Sequence, residues 1–175
     1  MTTLRTERLA LRRPAPRDWP AFRAFMLSDR AGAFGAHGDE GRAFRSFAAE
    51  LGHWEIRGHG MFAVAWKGTD DAVALVGPWT PPDWPEPEIG WMVLDAAAEG
   101  RGVAFEAAQA ALLHAFRDLG WPTAVSYVGT GNARSARLAE RLGAVLDPRA
   151  PRPLPAPGAP PLLVYRHPHP ARAAA

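Results

Sequence analysis

Glu88 stands two residues before Gly90 in the apolar run EIGWMVL (88–94). Such a run predicts a strand, and alternation puts Glu88, Gly90 and Met92 on one face. Packing gives little reason for a carboxylate there. Partial burial raises a carboxyl pKa towards the range where it can accept a proton, so Glu88 is the candidate general base. The competing reading is a cross-strand partner for an arginine, or a charge at the exposed end of the strand. A second cluster follows in EGRGVAF (99–105), where Gly100 and Gly102 flank Arg101 at the opening of an alanine-rich segment. Glycine at a helix start costs about 1 kcal/mol relative to alanine, and close approach of a ligand to the backbone is a reason to keep it. Unpaired N–H groups and the positive end of the helix dipole suit a pyrophosphate there. The amides from Gly100 through Arg101, Gly102, Val103 and Ala104 to Phe105 are the candidate grip.

Two other phosphate loops are excluded. A dinucleotide fingerprint needs a third glycine where Phe105 stands, and a Walker-type loop needs a lysine that is absent nearby. With no cysteine in the chain, thiol nucleophiles, disulfides and thiolate metal sites are ruled out. The histidines (His37, His53, His59, His114, His167 and His169) show no helical metal-ligand spacing beside an acid, so no metal site is expected. The pI of about 9.6 overstates the field, because the formal net charge is only +2 and Lys67 is the sole lysine. The arginines are interspersed with acids, so neither nucleic acid nor membrane surface is expected as partner. The longest uncharged run, Leu119–Ala133, is broken by Pro122 and three glycines and does not read as a membrane span.

The elements that must position these residues follow from periodicity. ERLALRR (7–13) predicts a strand, and PRDWPAFRAFMLSD (16–29) a helix capped by Asp18. Phe44, Phe47, Leu51 and Trp54 recur at helical spacing in a second helix near Gly41–Ile56. MFAVAWK (61–67), AVALVGPW (72–79) and EIGWMVL predict three strands of an antiparallel meander. Residues 103–119 predict a helix with Ala104, Ala108, Leu112, Phe116 and Leu119 on one face. TAVSYVG (123–129) then reads as a strand and ARSARLAERL (133–142) as a short helix capped by Asn132. PLLVYRH (161–167) is the last strand. Seven of the fourteen residues in 148–161 are proline, which predicts a stiff extended loop rather than a docking ligand for a proline-recognising partner. Residues 168–175 form a tail. The order is that of an α/β (α+β) chain folding as one domain over 1–175.

On these residues the chain resembles the GNAT superfamily of N-acetyltransferases, and more narrowly its RimJ/RimL-like branch. The likeness rests on EIGWMVLDAAAEGRGVAFEA (88–107) followed by NARSARLAERLGA (132–144). It implies a mixed, mostly antiparallel sheet splayed at its fourth strand and flanked by about four helices. It also implies acetyl-CoA as co-substrate and a primary amine as acceptor, either a protein N-terminus or a small molecule. The family's (Q/R)-x-x-G-x-(G/A) pattern lands on Glu99, Gly102 and Ala104. Glu99 departs from that pattern by placing an anion beside the pyrophosphate, with Arg101 as the expected counter-charge. By the same resemblance the backbone of Met92, Val93 and Leu94 pairs with the pantetheine arm, and the Val93 N–H serves the oxyanion. Asn132 and Ser135 contact that arm, and Arg134 and Arg137 approach the 3′-phosphate. Some relatives carry a tyrosine acid where this chain has Ala139, so Ser135 is the candidate for protonating the leaving thiolate, with Tyr127 as another. His37, His53 and His59 fall in the acceptor region. Trp79, Trp84 and Trp91 with Asp83, Glu86 and Glu88 form an aromatic and acidic surround suited to a cationic amine, or else core tryptophans under a solvated loop.

The rival reading is a catalytically silent acyl-CoA-binding or regulatory module on the same fold. A cytoplasmic location is expected from the absence of a secretory segment after Met1, and homodimerisation is left open.

Overall fold

The computed structural model describes residues 3–34, 38–154 and 160–170. Eight strands make one sheet in the order β1-β2-β3-β4-β5-β6-β8-β7. They are β1 (Leu4–Arg5), β2 (Leu9–Arg12), β3 (Phe62–Trp66), β4 (Ala74–Trp79), β5 (Glu88–Val93), β6 (Val125–Gly129), β7 (Val145–Leu146) and β8 (Leu162–Arg166). The predicted meander is β3 to β5, and the predicted early strand is β2, which pairs with β3. The strand expected as fourth becomes fifth because the two-residue β1 precedes it, and the short β7 was likewise not foreseen. Every pairing is antiparallel except that of β5 with β6.

Helices α1 (Trp19–Met26) and α2 (Glu40–Arg57) cover one face of the sheet, against Ala63, Leu75 and Met92. Helix α3 (Val103–Arg117) covers the other, against Val64, Val76 and Ile89. Helix α4 (Ala133–Arg141) packs near β6 and β8 through Ala139, Val128 and Tyr165. Among the described residues no helix is long and apolar enough to cross a membrane. The Pro-rich segment joins β7 to β8, as expected of a connecting loop, and its residues 155–159 lie outside the described residues.

One local expectation is corrected and another is widened. Asp18 does not cap α1 through its side chain: it is buried, holds Arg12 through two bonds of 2.7 and 2.8 Å, and accepts from the Ala15 N–H. The buried face of α3 takes in Ala108 and Phe116 of the predicted stripe, with Leu112 and Leu119 half-buried against the core, and extends over Val103, Ala107, Ala111 and Ala115. Alanines let a helix lie close on a sheet, so the contact face is broader than the predicted stripe.

The sheet parts at β5 and β6. Their parallel ladder has one register pair, Glu88 with Val125, closed by the Val125 N–H to the Pro87 carbonyl at 3.0 Å. A continued ladder would send the Tyr127 N–H to the Ile89 carbonyl. That carbonyl instead accepts from Ser126 Oγ at 2.7 Å, and the Tyr127 N–H points to Glu88 Oε1 at 3.4 Å. His167 Nε2 lies 2.9 Å from Ser126 Oγ, which donates its proton to Ile89, so the imidazole donates to the hydroxyl. One side chain thus ends the ladder and the strands diverge.

Candidate active site

The divergence opens a cavity of about 890 Å³ between β5, β6, α1, α2 and the loop before β8. Glu88 faces it from the first residue of β5. Trp84 Nε1 donates to Glu88 Oε2 at 2.5 Å, and the Tyr127 N–H reaches the other oxygen. Both donors favour the carboxylate, but burial outweighs them and pushes the Glu88 pKa up to about 7. Of the expected surround, Trp79, Trp84 and Trp91 do line the cavity. Asp83 is exposed. Glu86 is taken up by Arg166 at 2.6 Å, so it belongs to the framework.

A second carboxylate was not foreseen. Glu50 of α2 lines the same cavity with only 6% of its surface exposed, and its Oε2 has no hydrogen-bond partner among the described residues. Burial, and then the charge of Glu88, push its pKa up to about 8. The signal was in the sequence: Glu50 sits three residues after Phe47 and four before Trp54, on the apolar stripe of α2.

The glycine turn lies past β5. Gly100 and Gly102 have φ of +73° and +80°, where an L side chain is strained, which answers why glycine opens this helix. Among the amides after Gly102, the first to bond back along α3 is Glu106, whose N–H meets the Gly102 carbonyl at 3.0 Å. The amides of Val103, Ala104 and Phe105 precede it and have no intrahelical acceptor, whereas the Arg101 N–H is spent on the Ala98 carbonyl at 3.3 Å and drops out of the expected grip. Arg101 is not the counter-charge of Glu99. Its guanidinium lies 4.6 Å from the Trp66 ring, where stacking holds it. Glu99 is neutralised by Arg30 at 2.6 Å and Arg134 at 2.8 Å, and the Arg30 bonds hold its carboxyl below the usual range. Arg30 also donates to the carbonyls of Val93 and Leu94 at 2.7 and 2.8 Å, tying the turn to the end of β5. No local pattern announces a contact made across that much chain.

Alternation along β5 sorts the three backbone positions. The Leu94 N–H bonds to Val73 at 2.9 Å, so Met92 also turns its amide to β4, and Val93 turns its own to the gap. Met92 and Leu94 contribute buried side chains instead. Asn132 caps α4, its Oδ1 accepting from the Ser135 N–H at 3.1 Å. Ser135 Oγ accepts from Trp91 Nε1 at 3.1 Å, which leaves its own proton to donate; both residues line the cavity. Tyr127 lines it too, its buried hydroxyl unpartnered among the described residues and its pKa pushed up to about 12 by burial. His53 and His59 do not line the cavity. The Thr80 N–H donates to His53 Nε2, His53 Nδ1 donates to the His59 carbonyl, and burial lowers both pKa values, so they pack α2 onto the chain after β4. His37 lies outside the described residues.

An open strand edge on one side of a gap and a helix start with free amides beside it suit an extended, phosphate-bearing donor, with room for a second reactant by Glu88. A family model described as an acetyltransferase (GNAT) domain matches residues 8–145, and the chain belongs to that family. It is therefore an acyltransferase. A crystal structure of the acetyltransferase from Agrobacterium tumefaciens str. C58 is 42% identical with a TM-score of 0.86, over 95% of this chain and 94% of that one. A protein from Bordetella pertussis described as a GNAT-family acetyltransferase is 26% identical with a TM-score of 0.77, over 96% of this chain and 100% of its own. RimL, a ribosomal L7/L12 α-N-protein acetyltransferase solved with coenzyme A, shares the fold at 16% identity and a TM-score of 0.71, over 95% and 97% of the two chains.

Proposed function

We propose that this chain, as one domain over 1–175, transfers an acetyl group from acetyl-CoA to a primary amine by direct attack in a ternary complex. The observation that carries this reading is Glu88: a carboxylate with its pKa near 7, facing the cavity where β5 and β6 part. The pantetheine arm lies along the gap beside Val93. Its pyrophosphate meets the amides of Gly100, Gly102, Val103, Ala104 and Phe105, and its 3′-phosphate lies towards Arg134 and Arg137 on the adjoining helix. Glu88 takes the proton of the acceptor ammonium, directly or through a water, and frees the nitrogen lone pair. The nitrogen attacks the thioester carbonyl, whose oxygen is received by an N–H on the open edge of β5, where Trp91, like Val93, turns its amide to the gap and lies nearer Glu88. When the C–S bond breaks, the Ser135 hydroxyl, oriented by Trp91, gives its proton to the thiolate and is reprotonated through water by the second proton that the nitrogen sheds, which leaves a neutral amide and free CoA. Holding both reactants in the gap supplies much of the acceleration.

The sequence likeness at 88–107 and 132–144 favours the RimJ/RimL-like branch, and hence a protein N-terminus or a small amine as acceptor. A cytoplasmic setting fits that branch, and homodimerisation remains compatible with it. The silent acyl-CoA-binding module keeps the groove but lacks turnover, so binding alone does not separate the two. The deciding experiment is release of free CoA from acetyl-CoA on a broad panel of amines. Amine-dependent release is expected; acetyl-CoA binding without release on any amine would establish the silent module.

A further inference from the structure

The mechanism above leaves Glu50 unused. It occupies a position on the α2 stripe where a leucine would pack between Phe47 and Trp54, yet its Oε2 is buried, unpartnered among the described residues, and at the cavity wall. We propose that Glu50 and Glu88 together receive the acceptor's ammonium, and that this carboxylate pair selects amines with an apolar body and no free carboxylate beside the nitrogen. The proposal rests on the transferase reading for the identity of the acceptor, but the pairing itself is a matter of binding.

The charged and titratable groups lining the cavity come from each element around it. Glu50 is on α2, Glu88 on β5, Tyr127 on β6 and Arg30 on the segment after α1. Arg30 is committed to Glu99 and to the Val93 and Leu94 carbonyls, and Tyr127 stays neutral well above physiological pH. His53, one turn along α2 from Glu50, is held by His59 and Thr80. An ammonium brings three N–H donors and a positive charge, which is what two partly desolvated carboxylates lack. Phe22, Met26, Trp79 and Trp84 offer the apolar and aromatic surface for its body. A free amino acid would bring a third carboxylate into the same pair, where repulsion is weakly screened. A carboxyl tied up in an amide, as at a peptide N-terminus, escapes that penalty, and so does an amine with no carboxyl at all.

Because Glu50 holds a proton near neutrality, binding the ammonium must release one, and affinity should rise from pH 6.5 to 8.5. The test is calorimetric titration of phenethylamine, phenylalaninamide and phenylalanine into the protein with coenzyme A, in two buffers of different ionisation enthalpy. In the parent, phenylalanine should bind at least tenfold more weakly than its amide. Glu50→Gln should weaken both amines about tenfold, narrow the gap to phenylalanine to within threefold, and abolish proton release at pH 8, where Glu88 is already ionised. Glu50→Leu, which completes the apolar stripe, should behave likewise and keeps the test independent of how well the glutamine variant folds. Binding of phenethylamine but not the amide points to small amines; the reverse points to N-termini. Parent-like affinity and discrimination in both variants, or no binding of either amine by the parent, overturns the proposal. Steady-state CoA release separates the two readings. An unchanged KM in Glu50→Gln with normal turnover removes this site alone, whereas amine binding with no release in the parent removes the transferase and leaves the site.

Discussion

Replacing Glu88 by glutamine keeps the side chain's shape and its acceptor for Trp84 Nε1 while removing its basicity. Desolvation favours the neutral acid, so the folded pKa stands near 7, and the catalytically competent ionised form is lost as pH falls through that value. At pH 6 about one molecule in eleven carries the ionised base, so kcat/KM should drop about tenfold for each pH unit below the midpoint. A second, higher limb belongs to the acceptor amine itself. Glu88→Gln should therefore abolish the limb near pH 7, keep the amine limb, and lower kcat/KM by at least ~10²-fold, equivalent to about 2.7 kcal/mol of barrier. Trp84→Phe makes a companion test, because it removes a donor that favours the carboxylate; the limb should move to higher pH without disappearing. The assay is CoA release against pH at subsaturating amine. Turnover of Glu88→Gln within threefold of the parent, with the limb near pH 7 intact, would refute the base assignment and leave an amine deprotonated by solvent.

Acetyl-CoA should raise the melting temperature by binding the native state, and Gly102→Asp should remove that rise, since it sets a side chain and a negative charge in the phosphate cradle. At φ +80° the aspartate is strained, and its Cβ would come within 3.2 Å of Arg8 Nη2, the far end of a flexible side chain, so the variant should fold with a lower melting temperature; an undiminished acetyl-CoA shift in that folded variant would remove the turn from the site. Asn132→Ala should cost ~1 kcal/mol of stability through the lost cap and also weaken acetyl-CoA binding. Calorimetry showing parental affinity alongside the lower stability would reduce Asn132 to a cap.

What the sequence alone determined is whatever depends on near neighbours along the chain. Alternation in 88–94 placed Glu88, Gly90 and Met92 on one face, and the meander, the glycine-opened helix and the Asn132 cap were all readable from spacing. These are local because hydrogen bonding and side-chain direction within a strand, a turn or a helix start are set over a few residues. The tertiary structure decided everything that needs two distant segments to meet. Arg30 reaching Glu99, Arg166 taking up Glu86, and Ser126 with His167 ending the β5–β6 ladder lie across the topology, where periodicity carries no information about partners. The same holds for α3, where alanines beside the predicted stripe widened the contact face, and above all for Glu50. Its place on an apolar stripe marked it as anomalous. Only the packing of α2 over the parted strands put its carboxylate at the same cavity as Glu88, where burial and like charge raise its pKa.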